Sequence, residues 1–307
     1  MSALTLKGPY WVTVRRHRRV LWTLPALVVA GLAAVVALRS WAADPRDGSL
    51  DPNHGYNLLR LFMEYGGQGL LFLPLLIGAF VAGPMTAREW ESGTWRLALT
   101  QSSTPKAWLG AKVLVAATVA ALGSAALVGV YRLGWARVSM TYRFHWADRA
   151  TYEATGPVLV AYCLLGVALG VLVGRLVRRT VAAMAVTGLL TGLILLVMGA
   201  LRWSLLPVVT NSGPLSGKSG WLMPRGALPM ESGFLTASGE RLPHDACFER
   251  SRSLSDCPAD MNITDRYADF HPASHYWPTQ LVETSIVLAL AAAALYAAFR
   301  LVRVHRG

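Results

Sequence analysis

Six long runs of apolar residues constrain what this chain can fold into. They lie at about residues 20–38, 66–85, 113–131, 156–173, 181–201 and 277–299, and only the last contains an acidic side chain, Glu283. A helix needs roughly 20 apolar residues to cross about 30 Å of hydrocarbon, because each residue adds only about 1.5 Å. Only 15% of the residues are charged, which is low for a surface that faces water. The runs therefore predict an all-α, polytopic membrane protein with six transmembrane helices.

Basic residues distinguish the two sets of segments between these runs. The N-terminus, residues 86–112, residues 174–180 and the C-terminal tail together hold 15 Lys and Arg against two acidic residues. The opposite segments are nearly neutral, and Lys and Arg favour the cytoplasmic side of a membrane. We therefore predict a multi-pass protein of the bacterial cytoplasmic membrane with both termini cytoplasmic. Membrane insertion also accounts for the net charge of +12 without a nucleic-acid partner.

The whole chain, residues 1–307, is predicted to form a single transmembrane domain with additional segments before and between its spans. Leu6, Tyr10 and Val14 recur at four-residue spacing before the first span, which is typical of an interfacial amphipathic helix. A disordered basic tail is the alternative for this stretch. Residues 86–112 form a cytoplasmic loop, and residues 202–276 form a large extracytoplasmic loop before the last helix.

The cytoplasmic loop carries several signals for helix boundaries. Thr86 and Glu89 have the spacing of a capping box, which predicts a helix that begins at Thr86. The pair Ser92-Gly93 predicts a helix end. Thr104-Pro105 predicts a second helix start that continues into the third span. A rigid helical pair of this kind indicates a docking element; an ordinary connector is the alternative.

Small residues and an acid within the spans are candidate sites. Gly166, Gly170 and Gly174 lie along one face of the fourth span and allow close helix packing, within one chain or between two. Glu283 is the one acidic residue within a predicted span. Ionisable groups in membranes often line transport paths, so Glu283 is either a gate or an orienting group.

The extracytoplasmic loop contains two of the three cysteines, Cys247 and Cys257. On the oxidising side of a membrane, a disulfide between them is expected. The alternative is a metal site with His244 and Asp245, although the cysteine spacing lacks the paired arrangement of zinc sites.

The loop after the second span also carries a family pattern. An acidic pair, Glu89 and Glu91, flanks Trp90 and is followed by Gly93-Thr94, a leucine-rich stretch and then Lys112 before the third span. This pattern resembles the loop after the second span of type-two ABC exporter permeases. The segment Tyr276–Glu283 resembles the end of the long external loop in actinobacterial members.

The resemblance implies a transport subunit without its own ATPase site. Such a chain binds no cofactor; ATP and Mg are bound by separate ABC ATPase subunits, and a second permease half, identical or related, completes the transporter. An unidentified substrate is moved outward by alternating access. By position, the resemblance assigns contact with the ATPase to Glu89, Trp90, Glu91, Gly93 and Thr94.

The competing hypothesis is a membrane-embedded enzyme with an extracytoplasmic active site. It would use His244, Asp245, His271 or Glu283, yet the sequence shows no nucleophile–base or metal-ligand spacing. Residues 212–219 end in Gly-Lys-Ser like a phosphate-binding loop, but Ser212 replaces the first glycine and no helix can follow through Pro224. We therefore assign no catalytic, cofactor-binding or metal-binding residue.

Overall fold

The computed structural model describes residues 18–42, 54–93, 104–139, 144–214, 222–251 and 257–304. These residues belong to two compact units. The helical unit comprises Met1–Arg202 and Gln280–Gly307, and the sheet unit comprises Trp203–Thr279.

The helical unit contains the six predicted spans, and the prediction of a polytopic helical membrane protein is confirmed. A six-residue π-helical segment, Ile77–Ala82, joins two of the helices into one continuous span. The helices of this unit are α1 Arg18–Trp41, α2 His54–Leu76, α3 Gly83–Glu91, α4 Pro105–Val138, α5 Arg149–Thr155, α6 Val158–Val177 and α7 Thr180–Leu201, and α9 Tyr276–Val304 continues into it from the sheet unit.

Helix boundaries differ from the sequence predictions at two places. The second span begins at His54 instead of residue 66, and it runs without a break to Glu91. The capping box at Thr86 is therefore wrong. Residues before Thr86 are already helical, and its buried hydroxyl lies 3.5 Å from the carbonyl oxygen of Gly83, one turn earlier.

The other boundary signals of the loop are confirmed. The helix α3 ends at Glu91 with Ser92 as its C-cap, and Gly93 follows with φ of 69°, a left-handed conformation that glycine adopts without steric cost. Thr104 caps α4, since its hydroxyl accepts a hydrogen bond from the Ala107 amide at 3.2 Å. The predicted interfacial helix before residue 18, and loop residues 94–103, lie outside the described residues.

The helix α6 is the most enclosed of the spans. In its apolar window, 83% of the residues are buried inside the protein. It packs against α3, α4, α7 and the π-helical segment, and the core around Leu159, Cys163 and Val167 includes Ala82 and Ala120. A helix surrounded by protein on most sides is apolar around most of its circumference, which explains why α6 carries only one charged residue, Arg175 in its last turn.

The sequence analysis predicted only a long loop at residues 202–276, but this region contains the sheet unit. Four antiparallel strands, in the order β1-β4-β2-β3, form one sheet. Cys247 and Cys257 are joined by a disulfide in this unit, with 4.8 Å between their Cα atoms. The elements are β1 Val209–Pro214, β2 Leu228–Thr236, β3 Arg241–Pro243, α8 Ala246–Ser251 and β4 Ile263–His271.

Candidate functional site

The end of α3 is tied to the start of α4 by an ion pair. Lys112 Nζ lies 2.5 Å from Glu89 Oε2, and both side chains are buried. The same ammonium group lies 4.0 Å from the centre of the Trp108 ring and 3.5 Å from the carbonyl oxygen of Met85. Glu89 is therefore held inside the bundle, where it joins the two helices that flank the loop.

The next two residues of α3 reach α6 and α7. The Trp90 ring lies beneath two guanidinium groups, 5.0 Å from that of Arg178 and 5.4 Å from that of Arg175. Glu91 is exposed, and its Oε2 accepts hydrogen bonds from the backbone amide and the hydroxyl of Thr180, the first residue of α7. A carboxylate at this position satisfies a free helix amide and lies at the positive end of the helix dipole.

These contacts define what we call the junction: Glu89, Trp90 and Glu91 with their partners Lys112, Arg175, Arg178 and Thr180. Three consecutive residues at the end of α3 contact α4, α6 and α7 in turn. Gly93 follows as the exposed exit from the helix, and Thr94, the last residue assigned to coupling by the resemblance, lies outside the described residues.

The glycine face of α6 packs within the chain. A Cβ atom added at Gly166 would lie 2.5 Å from the carbonyl oxygen of Pro74, and one at Gly170 would lie 2.5 Å from the Ala82 side chain. One at Gly174 would lie 2.0 Å from the Thr86 hydroxyl. All three distances are shorter than van der Waals contact. The second span therefore lies closer to this face of α6 than residues larger than glycine would permit.

Glu283 belongs to a buried ion cluster that the sequence analysis did not predict. Arg202 binds its carboxylate with two parallel hydrogen bonds, Nε to Oε2 at 2.8 Å and Nη2 to Oε1 at 2.9 Å. Arg202 Nη2 also lies 2.8 Å from Glu153 Oε1. The hydroxyl of Tyr162 donates to Glu283 Oε1 at 2.6 Å. We call Glu153, Tyr162, Arg202 and Glu283 the ion cluster.

The ion cluster is almost completely removed from solvent. The side chains of Glu153, Arg202 and Glu283 are at most 2% exposed. Arg149, which is partly exposed, lies 3.3 Å from Glu153 Oε1, so two basic groups balance two carboxylates. Buried charges are tolerated when they are paired and hydrogen-bonded in this way. Glu283 therefore links α9 to α5, α6 and the residue after α7.

Charges at the ends of the spans were the available signal for this cluster. Glu153, Arg202 and Glu283 each lie within about two turns of a span's end, and successive spans place these ends on the same side of the membrane. Gln280 adds to the same region, since its Nε2 donates to the carbonyl oxygen of Tyr152 at 2.7 Å.

The residues named for the enzyme hypothesis are distributed over both units: His244, Asp245 and His271 belong to the sheet unit, and Glu283 belongs to the helical unit. In the sheet unit, His271 Nε2 donates to the Trp203 carbonyl at 3.0 Å, which leaves its Nδ1 to accept a hydrogen bond from His275 Nδ1 at 3.0 Å. Burial lowers the pKa of His271. The Glu283 carboxylate is bound by Arg202 and Tyr162 in the ion cluster. Among the described residues, no group of three or more His, Cys, Asp or Glu side chains is placed to hold a metal.

Comparison with known proteins gives the family. A family model described as ABC-2 membrane transporter related matches residues 49–202, about half of the chain. Neither a curated protein nor a solved structure matches. The chain belongs to the ABC-2 membrane transporter related family. It is a permease of an ABC transporter, a transport subunit of a class that associates with ABC ATPase subunits.

Proposed function

We propose that this chain is the permease half of an ABC exporter in the bacterial cytoplasmic membrane. A separate ATPase binds ATP and Mg, and a second permease half, identical or related, completes the translocation path. The charge distribution supports cytoplasmic termini and a cytoplasmic loop at residues 86–112. In this orientation the junction is cytoplasmic, and the ion cluster and the sheet unit are on the outer side.

The junction carries this proposal. The loop at residues 94–103 is attached to α3 at one end and α4 at the other, and the Glu89–Lys112 ion pair joins both attachments. A displacement of the loop by the closing ATPase therefore moves both helices together. Trp90 and Glu91 transmit the displacement to α6 and α7, because they contact the adjacent ends of those helices.

Three of the five residues assigned to coupling acquire a more specific role. Glu89 is buried against Lys112 and positions the loop, whereas the exposed Glu91 and Gly93 border the surface that the ATPase would meet. Substrate would then move by alternating access, with the junction rearranging as the ATPase closes. The close contact between the glycine face and the second span allows these helices to move as one body.

Photocrosslinking in intact cells tests both the partner and the orientation. A photoreactive phenylalanine derivative is incorporated at Ser102 in the loop, and the matched control carries it at Ser238, an exposed residue of the β2–β3 turn. We expect the Ser102 probe to crosslink a polypeptide that mass spectrometry identifies as an ABC ATPase. The Ser238 probe should give no such product, because it lies on the outer side.

The junction is tested in the same assay. Combining the Ser102 probe with Trp90→Ala and Glu91→Ala should lower the yield of the ATPase crosslink at least fivefold while the protein still inserts in the membrane. Glu240→Ala, an exposed glutamate of the sheet unit, is the control and should leave the yield unchanged. An ATPase crosslink from Ser238, or none from Ser102, would contradict the proposal.

A further inference from the structure

The two faces of the sheet differ in how their charges are matched. On the first face, Asp269 accepts hydrogen bonds from Arg241 Nη1 at 2.8 Å and from the Thr210 hydroxyl. Tyr267 donates to Glu231 at 3.1 Å, and the Arg241 guanidinium lies 4.6 Å from the centre of the Tyr267 ring. Asp269, Arg241, Tyr267 and Glu231 are therefore all paired on this face.

Arg266 lies on the opposite face and has no such partner. It is paired across the strands with Phe234, whose ring centre lies 5.8 Å from the guanidinium carbon. Arg266 is half-buried, and its Nε is buried without a hydrogen-bond partner. No carboxylate in the part of the chain that the structure describes forms an ion pair with it.

A cavity of about 210 Å³ lies beside this guanidinium group, within the sheet unit. Phe234 and Ala268, both almost fully buried, provide apolar wall on the strands, and Leu222 and Met223 provide more from the segment before β2. The side chain of Asn211 fixes that segment, since its Nδ2 donates to the carbonyl oxygen of Leu222 at 2.9 Å. Polar groups are contributed by Arg266, Ser232 and His244.

We propose that this cavity binds a small organic carboxylate with an apolar body. The carboxylate pairs with the Arg266 guanidinium, whose planar donors match the two carboxylate oxygens. The apolar body lies against Phe234 and Met223, and the Ser232 hydroxyl and the His244 imidazole offer further hydrogen bonds. The site is distinct from the junction and does not depend on the transport function.

The charge and size of the cavity select this class of ligand. One guanidinium balances one negative charge, so a ligand with a single carboxylate matches the one arginine of the lining. Ligand pockets usually measure roughly 300–1,000 Å³, so this cavity accepts a small molecule rather than a large one. Apolar walls beside a single charged group favour an acid of about the size of benzoate.

Fluorine NMR of the purified full-length chain in detergent micelles tests the proposal. The probe is 4-fluorobenzoate, and the control ligand is 4-fluorobenzamide, which has the same shape without the charge. We expect the acid to bind at least tenfold more tightly than the amide. Equal binding of the two, or no binding of the acid, would overturn the proposal even without a variant.

Two variants locate the binding at this cavity. Arg266→Gln should weaken 4-fluorobenzoate binding at least tenfold, and Arg225→Gln, an exposed arginine outside the cavity lining, should leave it unchanged. Ser232→Trp places a bulky ring at an exposed position of the lining and should also abolish binding, which covers the case in which Arg266→Gln does not fold. If Arg266→Gln and Ser232→Trp both bind 4-fluorobenzoate within twofold of the original affinity, the proposal is overturned. The ATPase crosslink from Ser102 is unaffected by either result.

Discussion

The junction and the ion cluster lie at opposite ends of α6 and α7, and their charged groups are paired in different ways. The helix α7 begins at Thr180, which Glu91 caps, and Arg202 follows its last residue, Leu201, so the 22-residue helix places about 33 Å between them. At the junction the contacts are separate pairs: Glu89 and Lys112 are buried, whereas Glu91 and Arg178 are exposed. In the ion cluster, one guanidinium group serves two buried carboxylates.

The difference indicates which end of the helical unit can rearrange at low cost. A junction contact can be broken singly, and an exposed partner such as Glu91 then regains water. In the ion cluster, separating Arg202 from Glu283 would leave the buried Glu283 carboxylate without water or counterion, whereas Glu153 would keep Arg149. We infer that the ion-cluster end remains assembled during transport while the junction end rearranges.

Arg202→Ala gives the largest expected effect. Removing the guanidinium leaves Glu153 and Glu283 buried side by side without their common partner, which costs about 3–5 kcal/mol of unfolding free energy. Unfolding of the purified protein in mixed micelles measures this loss. Arg225→Ala, an exposed arginine of the sheet unit, is the control. A loss below about 1 kcal/mol for Arg202→Ala would show that the cluster does not hold these helices together.

Lys112→Ala is the corresponding change at the junction. Glu89 would lose its buried counterion, but it lies near the end of the helix and can turn toward water, so we expect a smaller loss of about 2 kcal/mol. The same unfolding assay measures it. The comparison between the two ends fails if Lys112→Ala destabilises the protein as much as Arg202→Ala does.

Gly174→Ala tests the contact that allows α6 and the second span to move together. The added methyl group would collide with the Thr86 hydroxyl and the carbonyl oxygen of Gly83, which we expect to cost about 1–2 kcal/mol. Gly110→Ala is the matched control, because no atom lies within 4 Å of its added Cβ. Equal thermal stability of the two variants would show that Gly174 is not needed for close packing between α6 and the second span.

Glu91→Gln should have the smallest effect on stability. The amide keeps an oxygen that can accept from Thr180, and only the charge near the helix dipole is lost, so we expect a smaller loss of stability than for the other three variants. Under the proposed function, its effect on ATP-dependent transport should be larger in proportion, since the junction would transmit the displacement of the loop. A variant with normal transport and clearly reduced stability would reverse this assignment.

The sequence predicts local features of this protein well and its distant pairings poorly. Hydrophobic runs predict the six spans, and residues such as Gly93 and Thr104 predict helix ends, because both signals depend on neighbouring residues. Arg202 lies 49 residues from Glu153 and 81 from Glu283. Such a pairing depends on how the helices pack, which no local pattern specifies.

The sheet unit was missed for a related reason. Its strands are separated by connections of uneven length, and β2 contains Pro229 and Gly233, so alternation of apolar and polar residues is interrupted. The register with β4 also shifts between Pro229 and Glu231. Irregular pairing of this kind weakens the two-residue period on which strand prediction depends.

The π-helical segment Ile77–Ala82 holds about one residue more than the same stretch of α-helix would. Deleting one residue inside the segment would restore α-helical hydrogen bonding and leave the later residues of the span facing as they do now, because the wider turn had absorbed the extra residue. Deleting one residue after the segment would instead rotate every later residue by about 100° around the helix axis. Glu89, Trp90 and Glu91 would then no longer face Lys112, Arg178 and Thr180. The junction therefore tolerates the loss of a residue from the π-helical segment but not from the α-helical turns that follow it.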